Sequence, residues 1–394
     1  MEIILLLSIF IVIHGYGGYT IPLLFRFTEN KDKSKMNHEW SPLHEITIVI
    51  AAFNEETIIK EKIENTIALD YPKELIKIIV VTDGSTDNTY NIASQFKEIT
   101  CYHENSRKGK MAAIDRIMPF VESEITVFTD ANTLLNKESL RFLNSHFDEK
   151  TVGGVAGEKK VITSNKISNE ATNQEGLYWK YESWLKQIDS NFHSVVGAAG
   201  ELYAIRTSLY QYPGDNVILD DFMISMNICT KGYVFKYEPK AFATELPSKN
   251  LREESKRKIR IGAGGIQSIL LLKSIFRIWK NPKLAYLYIS HRVLRWTIIP
   301  FLLIFIFVVN ALLILQAATS LWILLFFVQC IFYFWGAMGY CFEKNKKKSP
   351  VTTIPYYFLF MNLSQIKGIF RYVKGEQSGV WEKAKRMEDT NNIK

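Results

Sequence analysis

The chain has 394 residues, of which 48 are Lys or Arg and 40 are Asp or Glu, giving a formal net charge of +8. Much of the basic excess lies beside apolar runs, at residues 256–260 and 344–348. Membrane orientation therefore explains the charge better than nucleic-acid binding does, and no nucleic-acid partner is expected. The four cysteines contain no CxxC pair, so they indicate neither a disulfide framework nor a zinc site.

The chain begins with an apolar run, residues 3–25, that is long enough to cross a bilayer, which takes about 20 residues. Its three glycines and one proline are compatible with a membrane helix. A cleaved signal peptide is the alternative, but no basic region precedes the run and no small-x-small cleavage site follows it. We expect residues 1–28 to form an uncleaved transmembrane anchor.

The next segment, residues 44–250, alternates between short apolar runs and helical patterns. The predicted strands are 46–50, 76–82 and 125–129, and the predicted helices between them are 57–69 and 88–96. This alternation indicates βαβ units and a mostly parallel α/β sheet. A polar cluster follows each strand, where open α/β sheets bind ligands. A single cluster could be a turn, but three in succession favour a binding site.

Five motifs carry a resemblance to a known family. In chain order they are Phe53-Asn54-Glu55-Glu56, Asp83-Gly84-Ser85-Thr86-Asp87, Lys108-Gly109-Lys110, Asp130-Ala131-Asn132 and Leu219-Asp220-Asp221. Their order resembles that of family 2 glycosyltransferases, and in particular the membrane-embedded branch with hyaluronan, chitin-oligosaccharide, poly-N-acetylglucosamine and cellulose synthases. The resemblance covers residues 46–267. It implies a GT-A-type, Rossmann-like domain with a mostly parallel sheet, flanked by transmembrane helices.

The resemblance also implies how a nucleotide-sugar donor, favoured to be a UDP-sugar, is bound. Asn54, Glu55 and Asp83 match residues that hold the base and ribose, and Lys110 matches a basic residue near the donor phosphates. Asp130 matches the first acid of the DxD motif, which binds Mg²⁺ or Mn²⁺ together with the diphosphate. Asn132 stands in the third position of that motif, where its amide oxygen can ligate a metal but supplies no charge.

On the acceptor side, Asp221 matches the general base and Asp220 a supporting acid, which implies inversion and a β-linkage. The alternative role for this pair is to cap the helix predicted at 222–230, and both roles are compatible. Gly200 and Glu201 match a small-residue segment at the acceptor site, although a plain tight turn would look the same.

Processive members carry Gln-x-x-Arg-Trp where this chain has residues 257–261, and only Arg260 is retained. The loss of the aromatic position argues against processive polymer synthesis. We therefore expect transfer of one or a few sugars to a lipid-linked or other membrane-proximal glycan acceptor.

Four aromatic residues on a predicted helix could form an acceptor platform, but their helical spacing favours packing in the core. They are Tyr178, Trp179, Tyr181 and Trp184. The remaining segments are predicted as amphipathic interfacial helices at 251–290 and a transmembrane hairpin at 297–342. Residues 351–372 are predicted to form either a third C-terminal span or a re-entrant or interfacial helix. A polar tail follows at 373–394. The positive-inside rule then indicates a multi-pass inner-membrane protein with a cytoplasmic catalytic domain.

These features predict a membrane-bound inverting glycosyltransferase. A catalytically silent membrane subunit that binds nucleotide-sugars within a polysaccharide synthesis complex is the alternative. The retention of Asp83, Asp130 and Asp221 argues against that alternative. A transporter is poorly supported, because the predicted spans carry few ionisable residues.

Overall fold

The computed structural model describes residues 1–27, 42–161, 170–246, 251–316, 319–345 and 350–377. The lysines at 346–348, part of the expected hairpin link at 317–318 and the expected tail beyond residue 377 lie outside these residues. The strands are β1 (Ile46–Ala52), β2 (Ile76–Asp83), β3 (Thr100–Glu104), β4 (Ile125–Asp130), β5 (Thr133–Leu135), β6 (Val152–Val161), β7 (Tyr203–Arg206) and β8 (Val234–Glu245). They form one sheet in the order β3-β2-β1-β4-β7-β6-β8-β5.

The helices, in chain order, are α1 (Glu2–Gly15), α2 (Ile21–Phe27), α3 (Ile59–Ile67), α4 (Thr89–Ala93), α5 (Lys110–Ile117), α6 (Ser139–Asn144), α7 (Glu170–Phe192), α8 (Asp220–Thr230), α9 (Leu251–Leu271), α10 (Pro282–Tyr288), α11 (Leu294–Trp296), α12 (Ile299–Gln316), α13 (Ser320–Lys344) and α14 (Pro350–Val373). A π-helical turn, Ile289–Val293, joins α10 to α11. Short 3-10 turns occur at Gly18–Thr20, Lys73–Leu75, Met118–Phe120, Thr207–Leu209 and Lys273–Phe276.

Strand β1 lies at the centre of the parallel half of the sheet. It pairs in parallel with β2 and β4, and Ile46 stands opposite both Ile76 and Ile125. At the other end Ala51 stands opposite Asp130, so the carboxyl ends of the three strands share one edge. Strands β2–β3 and β6–β8 are also parallel, while β7 runs antiparallel to β4 and β6, and β5 to β8. The predicted mostly parallel α/β fold is confirmed.

Helices cover both faces of this sheet, which explains why its central strands read as continuous apolar runs. Alternate residues of β1 point to opposite faces, so Val49 joins one core and Ile48 and Ile50 join the other. The first core includes residues of α5, α7, α8 and α10, and the second includes residues of α3 and α6. The sheet edge that carries the polar motifs is thereby held between two packed layers.

Two helices, α12 and α13, are long and apolar enough to span a membrane, with mean hydropathy of 2.6 and 1.9. They correspond to the predicted hairpin. The predicted N-terminal anchor is not one straight helix, since its two helical parts meet at 70° and count as a third span only if taken together. The physical reason lies in its glycines: Gly17 has φ +125°, a conformation that L side chains rarely adopt.

The bend places Tyr16 against the rest of the protein. Its hydroxyl donates to Asn362 Oδ1 at 3.0 Å, and its carbonyl accepts from the Tyr181 hydroxyl at 3.0 Å. Helix α1 itself packs on the apolar spans, where Leu5 joins a small core with Ile306 and neighbouring residues of α12 and α13.

Helices α9 and α14, from the segments expected at the membrane interface, pack against each other. A Cβ built on Gly368 would lie 2.7 Å from the carbonyl oxygen of Ile259, which shows how closely the two backbones approach. Gln365 donates to the carbonyl of Trp296 at 2.8 Å. After α9, Leu272 and Ile275 join the main core, whereas Ile278 and Trp279 are 52% and 79% exposed. Helix α14 has 24 residues but is not among the helices that are apolar enough to span a membrane, and the choice between a span and an interfacial helix at 351–372 stays a prediction.

Candidate active site

The end of β4 and the start of α5 bring opposite charges together. Gly109 has φ +100° and lets the chain turn into α5, whose first residue is Lys110. The Lys110 ammonium lies 2.6 Å from Asp130 Oδ1 and 3.7 Å from Asp220 Oδ2. A basic residue from one motif therefore bridges acidic residues from two others, separated from it by 20 and 110 positions in the sequence.

Gly200 lies at the centre of this charged group. A Cβ built on it would lie 3.3 Å from Asp221 Oδ2, 3.3 Å from Lys110 Nζ and 3.6 Å from Asp130 Oδ2. The absence of a side chain therefore leaves the three charged groups facing one small space. The structure brings together the predicted base, the predicted phosphate-binding lysine and the predicted metal ligand.

Burial and the neighbouring Asp220 carboxylate raise the pKa of Asp221 to about 7, although Lys110 opposes this rise. Burial also raises the pKa of Asp130. Burial lowers the pKa of Lys110, but the carboxylates of Asp130 and Asp220 outweigh it and hold that pKa above its usual range. A carboxylate whose pKa lies near neutrality is suited to accept a proton during a reaction.

Asp220 and Asp221 begin helix α8, and Asp221 Oδ1 accepts the N–H of Phe222 at 2.8 Å. The helix-terminal position of the two acids is therefore confirmed, and their catalytic role stays a prediction. Arg260 reaches this segment from α9 and donates to the carbonyl of Ile218 at 2.9 Å. Arg260 therefore supports the segment that carries the two acids, and its acceptor-binding role stays a prediction.

Glu201 is held by a buried lysine that the sequence gave no reason to select. Lys159 Nζ lies 2.5 Å from Glu201 Oε1 and also pairs with Glu245. Although burial raises the pKa of Glu201, the Lys159 ammonium lowers it to about 2. Asn132 donates from Nδ2 to Glu245 Oε1 at 3.2 Å, so an aspartate at that position would lose this bond and meet a second carboxylate.

The residues present fit a cation that shares its ligands with a diphosphate. Within the described ranges, no group of three or more His, Cys, Asp or Glu side chains is arranged to hold a metal ion. Asp130 supplies one carboxylate, and the carbonyl oxygen of Asn132 is a further possible ligand. Mg²⁺ in proteins commonly takes one or two carboxylates and fills its other positions with substrate phosphates and water.

The predicted donor-binding residues lie at the ends of β1 and β2. Asn54 has φ 54°, and its Oδ1 accepts the N–H of Thr86 at 2.8 Å. Glu55 is buried, and its N–H donates to Thr89 Oγ1 at 2.7 Å. The two motifs therefore brace each other, which keeps this part of the crevice in a defined shape.

Asp83 organises the loop that leads to Lys110. Its Oδ2 accepts the N–H groups of Lys108 and Gly109 at 2.9 and 2.6 Å. Its Oδ1 is buried without a hydrogen-bond donor among the described residues and lies 3.7 Å from Arg116. An acceptor of this kind at a strand end is suited to a hydroxyl donor such as a ribose.

Lys62, on α3, is fully buried beneath the Asp130 loop. Its ammonium donates to Thr129 Oγ1 at 2.9 Å and to the Thr133 carbonyl at 2.7 Å. These threonines bond in turn to the carbonyls of Glu201 and Asp130, both at 2.9 Å. The sequence analysis missed Lys62, but its position three residues after Ile59 and next to Ile63 puts it on the apolar face of α3.

A cavity of about 670 Å³ borders Asp221 and Glu201. Its wall includes Tyr178, Trp179 and Tyr181. The interpretation that the four aromatics of α7 pack in the core is confirmed for Tyr181, which packs against the core as well as facing the cavity. It is wrong for Trp184, which is 47% exposed, while Tyr178 and Trp179 are partly buried and line the cavity. Helices α9 and α14 close the cavity, and those contacts are remote in sequence.

Comparison with known proteins agrees with this geometry. Residues 47–211 match the family model described as "Glycosyl transferase family 2". This part of the chain is therefore similar to family 2 glycosyltransferases. In three dimensions, the chain is similar to the mannosyltransferase PcManGT from Pyrobaculum calidifontis, a structure in complex with GDP-Man and Mn²⁺. The TM-score is 0.63 at 19% identity, over 93% of this chain and 99% of that one, which confirms the GT-A fold.

Two curated relatives are similar in sequence. The poly-β-1,6-N-acetyl-D-glucosamine synthase of Staphylococcus aureus is 25% identical over 254 residues, or 61% of this chain and 59% of the synthase. A protein of Bacillus subtilis described as "Probable glycosyltransferase YdaM" is 23% identical over 297 residues, or 72% of this chain and 68% of the relative. This chain thus spans about 59% of the synthase's length.

Proposed function

We propose that the chain is a membrane-bound inverting glycosyltransferase that transfers a sugar from a nucleotide-sugar to a lipid-linked or glycan acceptor. The convergence of Asp221, Lys110 and Asp130 around Gly200 carries this proposal. A carboxylate suited to accept a proton lies close to an ammonium group, in the part of the chain that is similar to family 2 glycosyltransferases or directly follows it. A UDP-sugar is the favoured donor through the resemblance to the synthase branch.

In this reaction the acceptor hydroxyl attacks the anomeric carbon while the bond from that carbon to the diphosphate breaks. The hydroxyl proton passes to the Asp221 carboxylate. The ammonium of Lys110 offsets the charge that develops on the departing nucleoside diphosphate. One direct displacement inverts the anomeric centre and forms a β-linkage from an α-linked donor.

Asp130 is the residue proposed to hold Mg²⁺ or Mn²⁺, with the amide oxygen of Asn132 as a second ligand. When bound, the cation supplies positive charge to the donor diphosphate. The Lys110 ammonium lies 2.6 Å from Asp130 Oδ1. Metal binding therefore requires Lys110 to share this carboxylate or to turn toward the diphosphate.

We also propose that the domain works at the cytoplasmic face of the inner membrane. The two helices able to span a membrane support the location, and the lysines that follow α13 support the orientation. The exposed Trp279 and its apolar neighbours after α9 are suited to the interface, where aromatic residues concentrate.

The decisive experiment measures nucleotide release by the purified, detergent-solubilised protein. UDP-, GDP- and dTDP-sugars are supplied in turn with Mn²⁺, Mg²⁺ or EDTA, and a membrane lipid extract provides acceptors. We expect metal-dependent release from one donor. Asp221→Asn should abolish that release, whereas Asp148→Asn, the same change at an exposed turn, should leave it unchanged.

Two outcomes would overturn the proposal. Release that persists in Asp221→Asn would show that this carboxylate is not the base. A protein that binds a donor in an equilibrium assay but never turns it over with the extract would instead support the catalytically silent subunit.

A further inference from the structure

The cavity beside Asp221 contains a buried cation that the proposed sugar transfer does not use. Lys186 lies on α7, is 4% exposed and lines the cavity wall. Its ammonium lies 5.6 Å from the centre of the Trp179 ring and 5.7 Å from that of Tyr237. Among the described residues, no carboxylate lies within ion-pair distance of it.

The other charged groups near Lys186 already have partners. Glu158 accepts the hydroxyl of Ser183 at 2.7 Å and also that of Tyr237. The basic residues elsewhere on the wall are matched by carboxylates: Arg257 and Lys258 by Glu254 at 3.0 and 3.5 Å, Arg292 by Glu182 at 3.2 Å, and Arg295 also by Glu182. Burial lowers the pKa of Lys186, and the Glu158 carboxylate opposes this change from beyond ion-pair distance. A buried ammonium without a directly paired carboxylate is costly, so an anion bound against it would stabilise it.

Positive charge is concentrated around the Trp179 ring. Three ammonium groups lie near its ring: Lys159 at 5.0 Å, Lys186 at 5.6 Å and Lys258 at 5.7 Å. Lys258 also lies 4.5 Å from the centre of the Tyr178 ring. An anion bound here would meet Lys186 of α7 and Lys258 of α9, and Lys258 would share its charge between the anion and Glu254.

One wall of the same cavity is apolar and belongs to α14. Ile354, Tyr357 and Phe358 line it, and Ile354 is 65% exposed. Helix α14 rests directly on the span α13, since a Cβ built on Gly336 would lie 2.3 Å from Leu359 Cδ1. The cavity therefore connects the candidate base to a surface that continues into the membrane helices.

We propose that this cavity binds an acceptor in which a sugar is joined to a hydrocarbon chain through a phosphate. The inference rests on the proposed function and specifies its acceptor class. The phosphate lies by Lys186 and Lys258, the hydrocarbon chain runs along α14, and a sugar hydroxyl faces Asp221. That hydroxyl forms the bond to the donor's anomeric carbon, loses its proton to Asp221, and the nucleoside diphosphate leaves.

The test measures binding and does not depend on transfer. Purified full-length protein in uncharged detergent is titrated with radiolabelled hexadecyl phosphate, without any nucleotide-sugar, and competition is measured with hexadecanol and with inorganic phosphate. We expect saturable binding that neither competitor displaces at equal concentration. Lys186→Met should weaken it about tenfold or more, since a buried charge-assisted contact is lost.

Matched variants separate this site from general effects. Lys180→Met removes an exposed lysine from the same helix and should leave binding unchanged. Lys186→Arg keeps the charge and should retain most of the binding, which guards against a folding defect in Lys186→Met. A second substitution, Lys258→Met, should weaken binding as well.

The inference is overturned if Lys186→Met binds as well as the wild type, or if hexadecanol competes equally, because the phosphate would then be irrelevant. Equal competition by inorganic phosphate would remove the lipid part. Because the titration contains no donor, sugar transfer can fail while binding holds, and that result would refute only the proposed function. Donor turnover without binding of hexadecyl phosphate would refute only this inference.

Discussion

Replacing Lys62 with methionine should reduce catalysis while changing stability little at neutral pH. Burial lowers the pKa of Lys62 from 10.5 to about 7, although Asp130 opposes the change. Each pKa unit corresponds to about 1.4 kcal/mol, so the buried ammonium costs the folded state about 5 kcal/mol at pH 7. Methionine removes that cost but also removes two good hydrogen bonds and leaves the Thr133 carbonyl unsatisfied, a loss of about 3 to 5 kcal/mol. The two effects nearly cancel.

The pH dependence of this balance has a definite sign. Between pH 7 and 10.5 the unfolded chain holds a proton on Lys62 that the folded chain does not, so wild-type stability rises with pH in this window. Lys62→Met lacks that contribution. The wild type should therefore gain about 2 kcal/mol on the variant between pH 7 and pH 9, because the folded chain still holds part of a proton on Lys62 near pH 7. Unfolding midpoints of both proteins in the same detergent at pH 7, 8 and 9 measure this gain.

Activity separates positioning from stability. Lys62 ties α3 to the loop of Asp130 and, through Thr129, to Glu201. A displacement of about 1 Å at a reacting group can cost about a hundredfold in rate, so kcat in Lys62→Met should fall by one to two orders of magnitude. Lys60→Met removes an exposed lysine from the same helix and is the control. Full turnover in Lys62→Met, or a stability gap that does not change with pH, would refute this reasoning.

Three further substitutions test other parts of the structure. Gly200→Ala places a methyl group among Asp221, Lys110 and Asp130. It should lower kcat about ten- to a hundredfold with little change in melting temperature. An unchanged kcat would contradict the proposed active site. Asn132→Asp restores the usual metal motif but sets a carboxylate against Glu245. In a Mn²⁺ titration of turnover, the variant should therefore need a higher Mn²⁺ concentration for half-maximal activity than the wild type. A lower concentration would disprove the account. Glu182→Gln leaves Arg295 buried without its counter-charge and should lower the free energy of unfolding by about 3 to 5 kcal/mol in denaturant titrations; equal stability would count against the ion pair.

The strand ends were predictable from the sequence because their signals are local. An apolar run followed by acidic and amide residues identifies the end of β2 or β4, and parallel pairing then brings Asp83 and Asp130 to one edge. The position of Gly200 depends on the antiparallel pairing of β7 with β4, which no local pattern specifies. Its resemblance to an acceptor segment identified Gly200, but its place between three charged groups required the fold.

Other features followed from contacts that are remote in sequence or from competing local preferences. The cavity needs α9 and α14 to close over α7, so the periodicity of Trp179 and its neighbours could not distinguish a cavity wall from a core. The N-terminal bend had a local signal in Gly15, Gly17 and Gly18, but glycine is also common in straight membrane helices. The positive φ at Gly17 decides between these two readings only once the backbone is known.

The bend at Tyr16 affects which piece of the protein can be studied alone. Tyr16 lines the cavity and connects α7 to α14 through Tyr181 and Asn362. Trimming the N-terminal helices to obtain a water-soluble protein would therefore remove part of the cavity wall and break both connections. A trimmed protein could retain donor binding at the strand ends and still give misleading acceptor preferences. Substrate screens should accordingly use the full chain in a membrane-like environment.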